Sequence, residues 1–250
     1  AYVTQLRNNF EELLGLANTR GANGDYLFGG YQVSSKPFTE SATGAVYNGD
    51  QGQRMLQVGA ARQLSSSDSG SSIFEGGTTG NGRFQTSAST ANTGSGLIST
   101  GSVTDLSQLT GAKYDITFSI DAAGATTYLV TQTPPPAIPA TPQPYVSGQA
   151  ITFDGMTFDV KGVPANGDTF SVEPSKNQSI FTTITDLLNV LSTSTTGEGG
   201  KTRLTNGLNT ANNNIDNALA NISKVRTTVG TRLQEIENLD NVGSSLTLQY

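Results

Sequence analysis

The sequence predicts an α+β protein: an elongated rod of long, coiled-coil-like α-helices with short hairpins, plus an inserted antiparallel β domain. Two observations carry this prediction. Helical patterns occupy both ends of the chain, and a stretch of alternating strands with turn signals lies between them. The 250 residues therefore divide into a discontinuous helical rod of residues 1–95 and 175–250, and an inserted β domain of residues 96–174.

The first 20 residues show the pattern of an amphipathic helix. Val3, Leu6, Phe10 and Leu13 recur at alternating steps of three and four residues, which is the spacing of a heptad seam. Residues 21–24 are rich in glycine and end the pattern, because glycine tolerates the backbone conformation that follows a helix. The heptad pattern already runs at the first residue, so we interpret the sequence as a fragment of a longer chain.

The middle of the sequence is dominated by strand and turn signals. Residues 25–75 mix aromatic residues with turn signals and predict short hairpins. Residues 114–120 alternate polar and apolar side chains, and a second run at 128–131 completes a hairpin. In residues 151–158 an Asp-Gly pair separates two alternating runs, a strong hairpin signal. Six prolines in residues 134–144 predict an extended loop, because proline cannot donate to a strand ladder.

The last part of the chain is predicted to be helical. A first helix covers about residues 176–193, and a second covers about 202–248, roughly 70 Å at 1.5 Å per residue. The second helix is too polar for a membrane span, so we predict that it forms a coiled coil. In this coiled coil its apolar seam packs against the seam of the opening helix. Arg232 interrupts its apolar seam. The predicted core residues of that seam, which could also form subunit contacts, are Leu204, Leu208, Ile215, Ile222, Val225, Val229, Ile236 and Leu239.

A row of asparagines follows the polar side of the closing helix: Asn209, Asn212, Asn213, Asn214, Asn217 and Asn221. Such a face is unusual for a solvated coiled coil, which normally presents Glu and Lys. Uncharged faces repel each other little and suit close packing between subunits. An internal core and a contact between subunits both remain open as interpretations of the seam and its flanks.

The composition excludes several functional classes. The chain has no histidine and no cysteine, so the commonest general base and all thiolate chemistry are missing. A net charge of −6 argues against a nucleic-acid partner and against an anionic membrane surface. Residues 195–202 resemble a phosphate-binding loop but follow a helix rather than a strand. We therefore predict no enzyme activity, no cofactor and no metal site.

Several segments together resemble the flagellar hook-associated protein 3 family of hook–filament junction proteins, within the flagellin superfamily. The resemblance is carried by DYLFGGY at 25–31, YNGDQGQR at 47–54, GSSIF at 70–74, TFDGMTFDVKGVPANGDTFSV at 152–172, and ISKVR and VGTRL at 222–226 and 229–233. Flagellin or hook-associated protein 1 is the near alternative, and a carbohydrate-binding or carbohydrate-active domain is the remote one.

The resemblance implies a structural, extracellular role in the bacterial flagellum. It implies export through the flagellar secretion system without a cleaved signal peptide. It also implies hook-associated protein 1 and flagellin as partners, and self-association in a ring in the full-length form. Members of this family carry helical segments at both ends that we do not find in this sequence, which agrees with the interpretation as a fragment.

Overall fold

The computed structural model describes residues 2–59, 62–133, 141–193 and 196–247. The chain divides into two compact units. Unit 1 comprises Ala1–Gly77, Gln178–Thr182 and Asp216–Tyr250, and unit 2 comprises Thr78–Asn177 and Thr183–Ile215. Both units are therefore built from segments that are distant in sequence.

Unit 1 begins with a helix that is followed by two hairpins. Its elements are α1 (Tyr2–Ala17), β1 (Phe38–Ser41), β2 (Gly44–Tyr47), β3 (Met55–Gly59), β4 (Arg62–Ser65) and α2 (Gly70–Phe74). Strand β1 pairs antiparallel with β2, and β3 pairs antiparallel with β4, which confirms the short hairpins predicted for this region. Ser69 caps α2 by accepting a hydrogen bond from the Ser72 N–H.

A cluster of phenylalanines forms the core of unit 1. We call Phe10, Phe38, Phe74 and Phe181 the phenyl cluster; all four side chains are buried. The ring of Phe181 lies 5.6 Å from Phe10, 5.3 Å from Phe38 and 5.8 Å from Phe74, measured between centroids. Helix α1 packs chiefly against β1 and contributes Phe10 to this cluster. Gly44, with φ +125°, lets the β1–β2 turn touch the backbone at Phe181, where a Cβ would lie 2.7 Å from the carbonyl carbon.

Unit 2 contains two antiparallel sheets. Its strands are β6 (Phe84–Ala88), β7 (Leu97–Ile98), β8 (Ser102–Val103), β9 (Lys113–Ile120), β10 (Thr126–Thr133), β11 (Gln143–Pro144), β12 (Ala150–Phe153), β13 (Met156–Lys161) and β14 (Thr169–Pro174). One sheet has the order β11-β10-β9-β14-β6, and the other has the order β12-β13-β7, with β8 also paired to β13. Two-residue strands β5 (Gly77–Thr78) and β15 (Asn177–Gln178) lie where the sequence passes between the units.

The core of unit 2 follows directly from the alternation in its strands. Successive inward positions of β9 place Tyr114, Ile116 and Phe118 in the core, and the same period buries the apolar side chains of β13 and β14. The predicted hairpins β9–β10 and β12–β13 are confirmed. At the second turn Asp154 and Gly155 have φ values of +49° and +68°, as the two-residue turn requires. Of the predicted proline-rich loop, residues 134–140 lie outside the described residues.

Two further helices follow the strands: α3 (Ile180–Ser192) and α4 (Gly197–Thr247), which has 51 residues. The predicted fold class, a rod of long coiled-coil-like helices, is wrong. Among the described residues α4 alone is long, the other three helices have 16, 5 and 13 residues, and the chain is about 37% helix and 28% strand with several antiparallel sheets.

The physical reason for this error lies in the helical period. A spacing of three and four residues marks the buried side of any amphipathic helix, whether it packs on a second helix, on a hairpin or on loops. Helix α1 lies beside strand β1, and Phe10 of its seam packs against the ring of Phe181 at the start of α3. Within the described residues, no helix is both long and apolar enough to cross a membrane.

Candidate interaction surface

The predicted seam residues differ widely in burial. In α1, Phe10 is buried, Leu6 and Leu13 are half-buried, and Val3 is exposed. In α4 the exposure increases toward the C-terminus. Leu204, Leu208, Ile215, Ile222, Val225 and Leu239 are half-buried, whereas Val229 and Ile236 are exposed. The structure brings Phe10 into the phenyl cluster, and it places Leu204, Leu208 and Ile215 in unit 2 and the remaining α4 seam residues in unit 1.

Buried asparagine side chains bond the part of α4 within unit 2 to backbone groups of that unit. Asn206 is buried; its amide nitrogen donates to the Gly96 carbonyl at 2.9 Å, and its amide oxygen accepts from the Ile98 N–H at 3.1 Å. Asn214 is also buried and accepts from the Gly80 N–H at 2.9 Å. An amide satisfies both a donor and an acceptor, so it suits a helix face that packs on backbone loops.

The asparagine row continues this use of amides into unit 1. Asn221 donates to the carbonyls of Ser72 and Ile73, 2.9 Å from each, which lie in α2. In unit 2, Asn213 donates to the Thr100 hydroxyl at 2.7 Å. Three of the six asparagines in the row, Asn213, Asn214 and Asn221, therefore serve the fold of this chain rather than a contact with another subunit.

An ion pair accounts for the polar residue that interrupts the seam. The two terminal nitrogens of Arg232 donate to the two carboxylate oxygens of Asp68 at 2.8 and 2.9 Å. The side chains are 21% and 10% exposed. This paired geometry is the strong form of an arginine–carboxylate contact. One turn further along α4, Glu235 forms an ion pair with Arg62 of β4.

Beyond these contacts α4 presents an apolar surface to solvent. We call Val225, Val229, Leu233 and Ile236 the apolar stripe, because at about 100° per residue they lie within an arc of ~80° on one side of the helix. Leu233 is 56% exposed and Ile236 is 37% exposed. Contiguous apolar side chains on a surface are typical of interaction sites. Val225, Val229 and Ile236 belong to the predicted seam and Leu233 lies beside them; of the four, Val229, Leu233 and Ile236 are exposed to another molecule.

The other motifs have structural explanations in the chain. In the 195–202 segment, Gly200, Lys201 and Thr202 lie inside α4, whereas a phosphate-binding loop would precede its helix. The Asp154 carboxylate accepts from the Tyr114 hydroxyl at 2.6 Å and from the Thr110 hydroxyl at 2.8 Å. The pKa of Tyr114 is raised, chiefly because the side chain is buried and next because its hydroxyl is hydrogen-bonded to Asp154. In the part of the chain that the structure describes, His, Cys, Asp and Glu residues form no group of three or more suited to a metal ion.

Sequence reasoning did not identify the partners in these contacts. A charged residue such as Arg232 within an apolar seam indicates that it pairs with an acidic side chain, but nothing in the sequence identified Asp68 as that side chain. The asparagines were noticed, yet their targets are backbone groups, which carry no sequence signal.

Several known proteins resemble this chain, some over one segment and others over nearly its whole length. A family model described as flagellar hook-associated protein 1, D2-like domain, matches residues 87–174. The crystal structure of flagellar hook-associated protein 3 from Legionella pneumophila superposes with a TM-score of 0.90 at 32% identity, covering 98% of this chain and 77% of that chain. FlgL of Xanthomonas campestris gives a TM-score of 0.89 at 28% identity, covering 99% of this chain and 78% of that one.

A curated relative gives the same result over a shorter stretch. Flagellar hook-associated protein 3 of Salmonella typhimurium is 36% identical over 72 residues, which are 29% of this chain. The match spans 22% of that relative's length.

Taken together, the matches confirm the resemblance found in the sequence and favour a hook-associated function over flagellin, hook-associated protein 1 and a carbohydrate-binding domain. The relatives are components of the bacterial flagellum, an extracellular appendage. The chain belongs to the flagellar hook-associated protein 3 family, which includes the flagellar junction protein FlgL of Legionella pneumophila.

Proposed function

We propose that this chain is a structural, non-enzymatic protein of the hook–filament junction, with hook-associated protein 1 on one side and flagellin on the other. The observation that carries the proposal is the match to hook-associated protein 3 over 98% of the chain at a TM-score of 0.90. In this role the full-length protein associates with itself in a ring. It reaches the junction through the flagellar secretion system, without a cleaved signal peptide.

Imaging of flagella tests the proposed location. A strain that lacks the gene is complemented with the protein carrying a short epitope in the exposed turn at Gly124, and isolated flagella are labelled with gold. We expect label at the boundary of hook and filament. Label along the whole filament would support flagellin instead, and label at the hook base would refute the proposal.

We also propose that the apolar stripe of α4 contacts a second copy of the chain in the assembled ring. Two observations support this: Val229, Leu233 and Ile236 are exposed in the single chain, and the charge of the adjacent Arg232 is already paired with Asp68. Burying the stripe against a neighbour would remove apolar surface from water, worth about 25 cal/mol per Å².

The substitution Ile236→Asp tests this contact, and Gln234→Asp is its matched control. The two residues are both exposed and lie about 200° apart around the helix, so both variants add one carboxylate at almost the same height. Because Ile236 is already 37% exposed, we expect Ile236→Asp to fold normally by circular dichroism. We expect it to be secreted but not retained in flagella, with loss of motility.

The control variant Gln234→Asp should be incorporated into flagella, and the cells that carry it should be motile. Equal incorporation of the two variants would show that the stripe is not a subunit contact. Equal loss of both would show that the helix tolerates no added charge on either side, and would also refute a contact specific to the stripe.

We further propose that residues 96–174 form an insert that can be removed without unfolding unit 1. The phenyl cluster lies outside this range, so unit 1 keeps its aromatic core. Replacing residues 97–174 with a short Gly-Ser linker should leave a protein with a cooperative melting transition and the helix content of the remaining residues. A loss of helix beyond that share, or a gradual transition, would show that unit 1 depends on the insert.

A further inference from the structure

Unit 2 contains a groove at the open edge of its sheets, between β10, β11 and β12. Two adjoining cavities of about 130 Å³ each form this groove, and both are lined by Tyr128, Gln143 and Ile151. The first continues along Pro144, Tyr145 and Gln149, and the second along Val130, Thr152 and Phe153. Because the cavities share three residues, they form one surface with room for one or two small rings.

The lining combines flat apolar side chains with neutral polar ones. Among the described residues that line the two cavities there is no Asp, Glu, Lys or Arg. Tyr128, Tyr145 and Pro144 supply flat apolar faces, and Gln143 and Gln149 supply amide groups at the rim. A groove of this composition offers no complement to a charged ligand, whereas it complements a neutral one that has both apolar faces and hydroxyl groups.

The aromatic part of the groove is held in place by the core. The ring of Tyr145 lies 5.1 Å from the buried Phe118 in an edge-to-face arrangement, and the ring of Tyr128 lies 6.1 Å from Phe118. The Tyr145 hydroxyl lies 3.0 Å from the Val160 carbonyl oxygen and 2.8 Å from that of Gly162. A surface fixed in this way loses little conformational freedom when a ligand binds.

Three polar side chains of the groove keep hydrogen-bonding capacity that the described residues do not use. The hydroxyl of Tyr128 and the side-chain amide of Gln149 have no hydrogen-bond partner among the residues that the structure describes. Gln143 uses its nitrogen toward Thr141, which leaves its oxygen as an acceptor. Burial raises the pKa of Tyr128, so its hydroxyl keeps its proton at neutral pH and can donate.

We propose that this groove binds neutral saccharide residues, such as the terminal hexose or N-acetylhexosamine of a surface glycan. The sugar ring packs on Tyr128 and Pro144, and its hydroxyl groups bond to Tyr128, Gln143 and Gln149. We assign binding and not hydrolysis to the site, because glycoside hydrolysis usually requires a pair of carboxyl groups and no described lining residue carries one. Such an activity adds to the junction role and is independent of it.

Saturation-transfer difference NMR on the whole chain tests the proposal. The probes are the methyl glycosides of glucose, galactose and N-acetylglucosamine, with glucuronic acid as a charged comparison and a Pro-Pro-Pro-Ala peptide as an alternative occupant. A small, open groove predicts dissociation constants in the millimolar range, so titration extends to roughly 50 mM. We expect at least one neutral glycoside to bind more tightly than glucuronic acid and the peptide.

Two variants locate the binding, and one serves as control. Tyr128→Phe removes only the hydroxyl and should weaken binding about 2–10-fold, and Gln149→Ala, at an exposed position, should weaken it by a similar factor. Tyr2→Phe removes an exposed hydroxyl in unit 1 and should leave binding unchanged.

The proposal is overturned if no neutral glycoside binds up to the highest concentration. Tighter binding of the peptide or of glucuronic acid than of every neutral glycoside would also overturn it, since the groove would then have a different ligand class. Binding that is equal in the wild type, Tyr128→Phe and Gln149→Ala would place the sugar elsewhere and refute the assignment to this groove.

Discussion

The phenyl cluster predicts that Phe181→Ala strongly destabilises unit 1. The Phe181 side chain is fully buried and contacts three other phenylalanine rings, with centroids 5.3 to 5.8 Å away. Truncation to alanine removes most of a large apolar side chain and leaves a cavity among rings that are held by separate elements. Because α1, β1 and α2 each contribute one of these rings, the cavity cannot close by moving a single element.

The magnitude follows from measured truncations of buried aromatic residues. Such changes lower the free energy of unfolding by about 3–5 kcal/mol, a range that already includes the lost ring–ring contacts of ~0.5–1.5 kcal/mol each. Total stability of a folded domain is about 5–15 kcal/mol, so the loss is a large share of it. For a chain of this size, it corresponds to a melting temperature lowered by about 6–20 °C.

Urea unfolding and thermal melting followed by far-ultraviolet circular dichroism measure this effect. Tyr2→Ala, at a side chain that is 85% exposed, is the control and should change the unfolding free energy by less than about 0.5 kcal/mol. Phe181→Leu should fall between the two, because it keeps part of the apolar volume. A loss below about 1 kcal/mol for Phe181→Ala would refute the view that the phenyl cluster stabilises unit 1.

Three other predictions concern polar contacts. Asn206→Ala leaves the buried carbonyl of residue 96 and N–H of residue 98 without partners, so urea unfolding should show a loss of about 2–4 kcal/mol. Asp68→Asn breaks the paired contact with Arg232 and should lower the free energy of unfolding by about 1–3 kcal/mol in the same measurement. High salt should lower the unfolding free energy of the wild type by less than this substitution does, because a partly buried pair is only weakly screened. Burial raises the pKa of Tyr114 and Tyr145 above 10.0, the value expected in the unfolded chain. The protonated hydroxyls therefore contribute fully to the stability of the folded state below pH 10.0, and this contribution is lost as the pH rises through the folded-state pKa values. Urea melts between about pH 9 and 11 should show falling stability, and Tyr145→Phe should reduce the slope; an unchanged slope would contradict this cause.

Much of unit 2 could be predicted from local sequence. Alternating side chains in β9 and β13 identify both the strands and the residues that face the core, because a strand has a period of two. The Asp154-Gly155 pair predicts the hairpin, because both turn positions need a positive φ, which these residue types adopt readily. Such features depend on neighbours within a few residues, which the sequence displays directly.

The contacts of α4 could not be predicted in this way. Its helical period was evident from the sequence, but a period identifies a buried side and not what lies against it. Asn206 binds groups 108 and 110 residues away, and Arg232 binds Asp68 across 164 residues. The matching spacing of the α1 and α4 seams led us to pair them, whereas in the structure α1 lies beside β1 and its Phe10 packs on Phe181 of α3.

The sequence by itself determined the local elements of this protein, the residues that face inward along each strand, and, through its resemblance, the family. These properties depend on short-range periodicity and on the order of motifs along the chain. The tertiary structure alone decided which surfaces meet: the phenyl cluster of unit 1, the amide contacts of α4 and the groove beside Tyr128. The reason is that hydrogen bonds to backbone groups and the closure of a core between distant segments depend on spatial proximity, which leaves no pattern in neighbouring residues.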